Sequence, residues 1–220
     1  MKKEMTSNAL DEIETFNVEN FQELCDHLAN NDPDLHLILK NHGYPPMWTR
    51  KNTFETLVHI ILEQQVSLAS ALATLNKLKE KLKEITPENI LKLNDEEMRE
   101  CYVSRQKNIY IKGLANALIS GDMSLENFPE LSNDEVRKSL VALKGIGNWT
   151  VDVYLMFTLQ RTDIFPIGDL AAVNAVKRLK QLESKTTKEE ILEISEQWKP
   201  FRSVASMMLW HYYLSSAKAK

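Results

Sequence analysis

The segment Leu143-Lys144-Gly145-Ile146-Gly147-Asn148-Trp149-Thr150 sets two glycines around one apolar residue, between two helical patterns, where the chain must reverse. Glycine permits positive φ and lets another backbone approach closely. The helix that follows opens with N–H groups lacking intrahelical partners, and these, with the helix dipole, suit a phosphate oxygen. Such a grip holds nucleic-acid backbone and reads no bases. Taken alone, the pattern fits equally well a tight interhelical turn with no ligand.

One helix and a loop further on comes Asp169, in Asp163-Ile164-Phe165-Pro166-Ile167-Gly168-Asp169-Leu170. An aspartate there can serve simply as a helix N-cap. The segment before it is apolar, and the helix after it is apolar and basic on alternate faces. The carboxylate is therefore expected to be partly desolvated beside the second hairpin helix, which makes it a candidate site. Cleaving a glycosidic bond to a base leaves positive charge on the sugar, and a fixed carboxylate can stabilise that charge or orient water. Trp149 and Trp210 offer indole faces on which a cationic base would stack, worth about 0.5–2 kcal/mol. Core packing is the other reading of both. Trp48 and Trp198 read as core or surface anchors, and Tyr154, Tyr212 and Tyr213 as packing. Gln65 falls between two helical stretches, where an exposed amide needs no function.

Other chemistries find no support. His27, His36, His42, His59 and His211 show no HExxH spacing, and neither GxSxG nor a phosphate loop ending in GK[ST] occurs. Cys25 and Cys101 stand far apart without a CxxC, so a disulfide framework, a zinc site or an iron–sulfur cluster is not expected. They read as buried small hydrophobes in a reducing, intracellular (cytoplasmic) setting.

Helices must position these residues. Thr53 caps a helix to about Leu62, and Ser67 opens one with Leu68, Ala71, Leu72, Leu75, Leu78 and Leu82 at helical spacing. Thr86-Pro87 and Asn94 each start a short helix, and Arg105 to Ile119 forms a longer one ending near Gly121. Ser132 to Glu135 carries a capping box for a helix to about Ala142. The next helices run from near Trp149 to Gln160, from Asp169 to Leu182, from a Thr187–Glu190 cap, and from Arg202 to Ser215. Trp149–Gln160 and Arg202–Ser215 look largely buried. The pattern gives roughly ten helices and no convincing alternating strand, hence an all-α fold. About the first 15 residues are expected to fray.

Composition agrees with that class. Of 220 residues 43% are hydrophobic, and only 6 glycines and 7 prolines occur, which favours long helices. No apolar run of about 18 residues is present. No membrane partner is therefore expected, and Met1 to Leu10 lacks the apolar stretch of a secretory signal. The net charge of -4 puts any nucleic-acid contact on a local group of donors rather than on global charge.

The ordered pieces FETLVHIILEQQVSLASA, LKGIGNWT, DIFPIGD and WKPFRSVASMMLWHYYL resemble the helix-hairpin-helix DNA glycosylase superfamily, in particular its 3-methyladenine DNA glycosylase II (AlkA-type) branch. The resemblance spans about residues 44–214. It implies two helical lobes, a helix-hairpin-helix motif and an active site in a cleft between the lobes. A central lobe at about 54–160 would pair with one built from about 16–53 and 161–215. It implies Asp169 as the catalytic carboxylate, Trp149 and Trp210 in the base pocket, and Gln65 as the wedge that fills the gap left by a flipped base. Lys144, Gly145, Ile146, Gly147 and Thr150 would form the hairpin on the DNA backbone. Backbone carbonyls of Val141, Leu143 and Ile146 match positions that hold a monovalent cation (Na+ or K+) in some members; no cofactor would be required. Bifunctional members carry a lysine nucleophile where Trp149 stands, so no Schiff base and no strand cleavage is expected. The β-rich N-terminal extension of some AlkA-type enzymes is not expected here.

The resemblance implies a monomer that removes alkylated purines (3-methyladenine, 7-methylguanine) from double-stranded DNA as flipped bases and leaves an abasic site. The alternatives are a non-catalytic DNA-binding module, a helical interaction scaffold, and a glycosylase for deaminated or oxidised bases.

Overall fold

The computed structural model describes residues 14–218, with side chains through 215. Most of the segment expected to fray lies outside the described residues. Among the described residues there are α-helices, two 3-10 turns and no strand; the one β contact is an isolated bridge between Thr15 and Arg161. The chain divides into two compact units, Arg50–Tyr154 and Met1–Thr49 with Leu155–Lys220.

The helices are α1 (Phe21–Asn31), α2 (Pro33–His42), α3 (Phe54–Glu63), α4 (Leu68–Leu82), α5 (Pro87–Lys92), α6 (Asp95–Glu100), α7 (Arg105–Ile119), α8 (Asn133–Val141), α9 (Asn148–Phe157), α10 (Leu170–Leu179), α11 (Lys188–Ser195) and α12 (Arg202–Lys218). Their starts follow local chemistry. Thr53, Ser67, Thr86, Asn94, Ser104, Ser132, Asp169 and Thr187 each accept a first-turn backbone N–H through the side chain. Full capping boxes form at Asn94/Glu97, Ser132/Glu135 and Thr187/Glu190. Two helix ends fall short of the spacing-based expectation. α9 stops at Phe157 rather than Gln160, whose φ is 55, and α10 stops at Leu179 rather than Leu182, with Gln181 at φ 54. Left-handed φ cannot continue a right-handed helix.

In the unit Arg50–Tyr154, α3 is buried nearly all round: Leu57, Val58, Ile60, Ile61 and Leu62 are sealed as α3 packs on α4 and α7. α5 and α6 pack on α7. Burying one such aliphatic side chain stabilises by roughly 1.5–3 kcal/mol.

The other unit is organised on α12, which packs on α1, α2 and α10 and buries Val204, Ala205, Met207, Met208 and Leu209. Asp32 ties this unit together. It caps α2 through Asp34 N at 2.8 Å, accepts Trp198 Nε1 at 2.8 Å, and pairs with Lys180 Nζ at 2.9 Å. Burial alone would push its carboxyl up, but the bonds from Trp198, Lys180 and Asp34 win and hold it below the ordinary range. Trp198 is thus a core anchor. Cys25 and Cys101 are free and buried, and burial pushes the Cys25 thiol up to about 12.

Candidate active site

In the α12-centred unit, Asp169 sits at the end of a loop that α12 pins at both ends. At the near end Arg202 grips Asp163 with two bonds (2.6 and 3.0 Å), and Ser203 Oγ accepts Ile164 N at 3.0 Å. Tight backbone bonds then carry the chain round: Ile167 N to Phe165 O at 2.9 Å and Asp169 N to Pro166 O at 2.8 Å. At the far end Asp169 Oδ1 accepts Ala172 N at 2.9 Å, capping α10, and also accepts Trp210 Nε1 at 2.9 Å. The N-cap reading of Asp169 is therefore met by the geometry, and Trp210 adds a second donor to the same oxygen. It is half-buried, as the flanking apolar residues led one to expect. Trp210 is 9% exposed, and its ring lies 5.2 Å from that of Phe157, tilted by 30°. Phe157 is the last residue of α9 and lies in the same unit as Trp210 and Asp169.

In the unit Arg50–Tyr154, the hairpin joins α8 to α9 through residues 142–147. Gly145 has φ 86, and a Cβ placed on it would overlap the Tyr110 ring. Only glycine fits there, and what approaches it is a side chain of α7 rather than another backbone. Gly147 differs: its φ is not left-handed, and a Cβ there would meet nothing within 4 Å. The expectation of two conformationally required glycines is thus corrected to one. Lys144 is exposed. Ile146 (4% exposed) and Thr150 (1%) turn their side chains inward, so neither side chain is open to a phosphate, and Ile146 N is already bonded to Leu143 O. Thr150 Oγ1 accepts Gln64 Nε2 at 3.0 Å. Trp149 is half-buried. The two hairpin helices are stapled by Arg137, which reaches Asn148 Oδ1 at 3.0 Å and the buried Asp152 at 2.6 Å.

Gln65 is exposed at the α3–α4 junction with φ 58, flanked by exposed Val66 and Leu68. The carbonyls of Val141, Leu143 and Ile146 lie in and beside the turn, and Leu143 O also accepts Ile146 N at 3.1 Å. No cluster of three or more His, Cys, Asp or Glu suited to a metal occurs among the described residues. The structure thus joins Asp169 with Trp210 in one unit, and the Gln65 junction with the hairpin in the other. Gln64, Lys107, Tyr110 and Phe157 carry these arrangements without having stood out in the sequence. Of the four, only Gln64 had a signal, as the neighbour of Gln65 at a helix end.

The sequence matches the family model of HhH-GPD superfamily base excision DNA repair proteins over residues 58–201. It is 35% identical over 191 residues to DNA-3-methyladenine glycosylase 1 of Schizosaccharomyces pombe, covering 84% of this chain and 84% of that protein. It is 30% identical to the putative DNA-3-methyladenine glycosylase YfjP of Bacillus subtilis, covering 86% of this chain and 68% of the relative. Among solved structures, S. pombe 3-methyladenine DNA glycosylase (Mag1) in complex with abasic DNA aligns with a TM-score of 0.75 at 33% identity, covering 86% of this chain and 95% of that one. DNA-3-methyladenine glycosidase from Bacillus halodurans aligns with a TM-score of 0.77 at 27% identity, covering 89% and 91%. An all-α chain with a glycine hairpin and a capped aspartate beyond it is the architecture of a helix-hairpin-helix repair protein. This chain belongs to the HhH-GPD superfamily.

Proposed function

We propose that this chain is a monofunctional DNA glycosylase that hydrolyses the N-glycosidic bond of alkylated purines in duplex DNA, in base excision repair. The observation that carries the reading is Asp169, half-buried and fixed by Ala172 N and Trp210 Nε1. Its support is the set of relatives named as 3-methyladenine glycosylases. A carboxylate held in place before the reaction stabilises charge without reorganising. As the bond from C1′ to the base breaks, its electron pair leaves with the base. Asp169 faces the cationic sugar, and water adds at C1′ and gives up a proton to solvent, while the methylated base leaves neutral. Methylation at a ring nitrogen makes the base cationic and a better leaving group. Trp149 and Trp210 supply indole surface for it. Trp149 stands where a lyase would need an amine, so the strand is left intact.

The hairpin amides after Gly147 hold a phosphate, Lys144 adds charge, and Gln65 fills the space of the flipped nucleotide, which offsets a few kcal/mol of unstacking. Three neutral carbonyl oxygens, from Val141, Leu143 and Ile146, suit a hard monovalent cation better than a transition metal. Bound there, it would supply positive charge beside that phosphate. The protein acts as a monomer inside the cell.

The deciding experiment incubates the protein with duplexes carrying 3-methyladenine, 7-methylguanine, hypoxanthine or 8-oxoguanine, and measures both released base and strand integrity. Release of the methylated bases with uncut strands is expected. Release confined to hypoxanthine or 8-oxoguanine would move the enzyme to another substrate class, and release of none would leave a binding module.

A further inference from the structure

Gln65 holds a left-handed conformation that costs a non-glycine residue about 1–3 kcal/mol, and such a residue persists only where its surroundings impose it. Two side chains hold the backbone just before it. Lys107 Nζ donates to Leu62 O at 2.7 Å and fixes the last turn of α3. Gln64 then uses both hydrogens of its side-chain amide: Nε2 donates to Gly145 O at 2.9 Å and to Thr150 Oγ1 at 3.0 Å. One acceptor belongs to the residue with φ 86, the other to the first turn of α9. α7, which supplies Lys107, also supplies the Tyr110 ring against Gly145.

We propose that Gln64 is a positioning residue that locks the Gln65 junction to the glycine hairpin, so that the element entering the duplex and the element holding its backbone move as one body. The lock itself is a property of the free protein. What the two elements do with DNA rests on the function proposed above. Without the amide, Gly145 O and Thr150 Oγ1 lose their donor and Gln65 can relax toward right-handed φ. The wedge would then lose its register relative to the phosphate grip.

The first test is amide hydrogen exchange on the free protein, comparing the parent with Gln64→Leu. Protection should fall about tenfold in residues 64–67 and in residues 143–150 together, as expected for a loss of one to two buried hydrogen bonds. A fall in only one segment, or in neither, overturns the lock. Thr150→Val, close in shape to the parent, gives an independent reading should Gln64→Leu fold poorly: exchange at 64–67 should rise about threefold for one bond of the pair. No rise there overturns the lock equally. The second test uses a duplex with 2-aminopurine opposite an abasic-site analogue. Gln64→Leu should lower the fluorescence gain on binding as far as Gln65→Ala does, and the double variant no further. Additive losses overturn the positioning role. If the parent itself gives no gain, the DNA role of Gln65 fails, while the exchange result still decides the lock.

Discussion

Trp210 Nε1 and Ala172 N both donate to one oxygen of Asp169, each at 2.9 Å. α12 and the first turn of α10 therefore fix the rotation of this carboxylate together. Two fixed donors leave the side chain little freedom to turn, and an ion that need not turn stabilises developing charge more effectively than a mobile one.

Asp169→Asn separates the chemistry from the fold. Asparagine caps a helix about as well as aspartate, so α10 should keep its start and stability should change by less than about 1 kcal/mol. The negative charge is lost, and base release should fall by at least about 10²–10³-fold. Single-turnover release of 3-methyladenine, set beside binding to an abasic duplex, makes the comparison. Undiminished release by this variant would remove Asp169 from the mechanism.

Trp210→Phe keeps an aromatic ring against Phe157 but deletes the donor to Asp169 Oδ1. Hydrogen bonds to charged groups contribute about 1.5–3 kcal/mol, so the single-turnover rate should drop about ten- to a hundredfold if most of that is realised in the transition state. Affinity for an abasic duplex should stay within a few-fold. A rate equal to the parent's would mean that the indole packs and does not orient.

The two hairpin glycines should separate in a stability assay. Gly145→Ala meets both left-handed φ and the Tyr110 ring, so denaturant unfolding should show a loss of roughly 2 kcal/mol or more. Gly147→Ala meets nothing, and its stability should change little. Its effect should appear in binding, where the added methyl group projects beside the amides that open α9. Equal losses of stability would contradict the geometry at residue 145.

Much of this was legible in the sequence because it is local. Ser67, Thr86, Asn94, Ser132 and Thr187 announce helix starts through side chains that bond to the amide three residues on, and the fold leaves those bonds in place. The first two helices were equally written, in Phe21, Leu24, Cys25 and Leu28 at helical spacing and in Asp32 before Pro33, yet the spacing-based count did not single them out. What the chain does not print is who meets whom at long range. Gln64 reaches Gly145 across 81 positions and Trp210 reaches Asp169 across 41. No periodicity encodes either pairing. Nor does the motif separate Gly145, which a ring demands, from Gly147, which nothing within 4 Å constrains.

The Arg137–Asp152 pair yields a pH-dependent prediction. Burial pushes the Asp152 carboxyl above the ordinary carboxylate range, and Arg137, at 2.6 Å, opposes that rise. An acid whose folded pKa is raised binds its proton more tightly folded than unfolded. Its contribution to stability is thus greatest below the ordinary carboxylate pKa and is lost as pH rises through the folded value. Arg137→Met removes the opposing charge and widens that window. Near neutral pH the variant should lose roughly 2–4 kcal/mol, somewhat less than a fully buried pair because Arg137 keeps some solvent contact. As pH falls toward the ordinary carboxylate range and Asp152 takes up its proton, at least about 1 kcal/mol of that loss should return. Urea unfolding at several pH values measures it. Asp152→Leu added to Arg137→Met should recover much of the stability, since an apolar replacement leaves no buried charge unpaired. The Arg137 bond to Asn148 would still be missing, so the double variant should fold well yet hold duplex DNA more weakly than the parent. Full DNA affinity in it would mean that stapling α8 to α9 is not what shapes the phosphate grip.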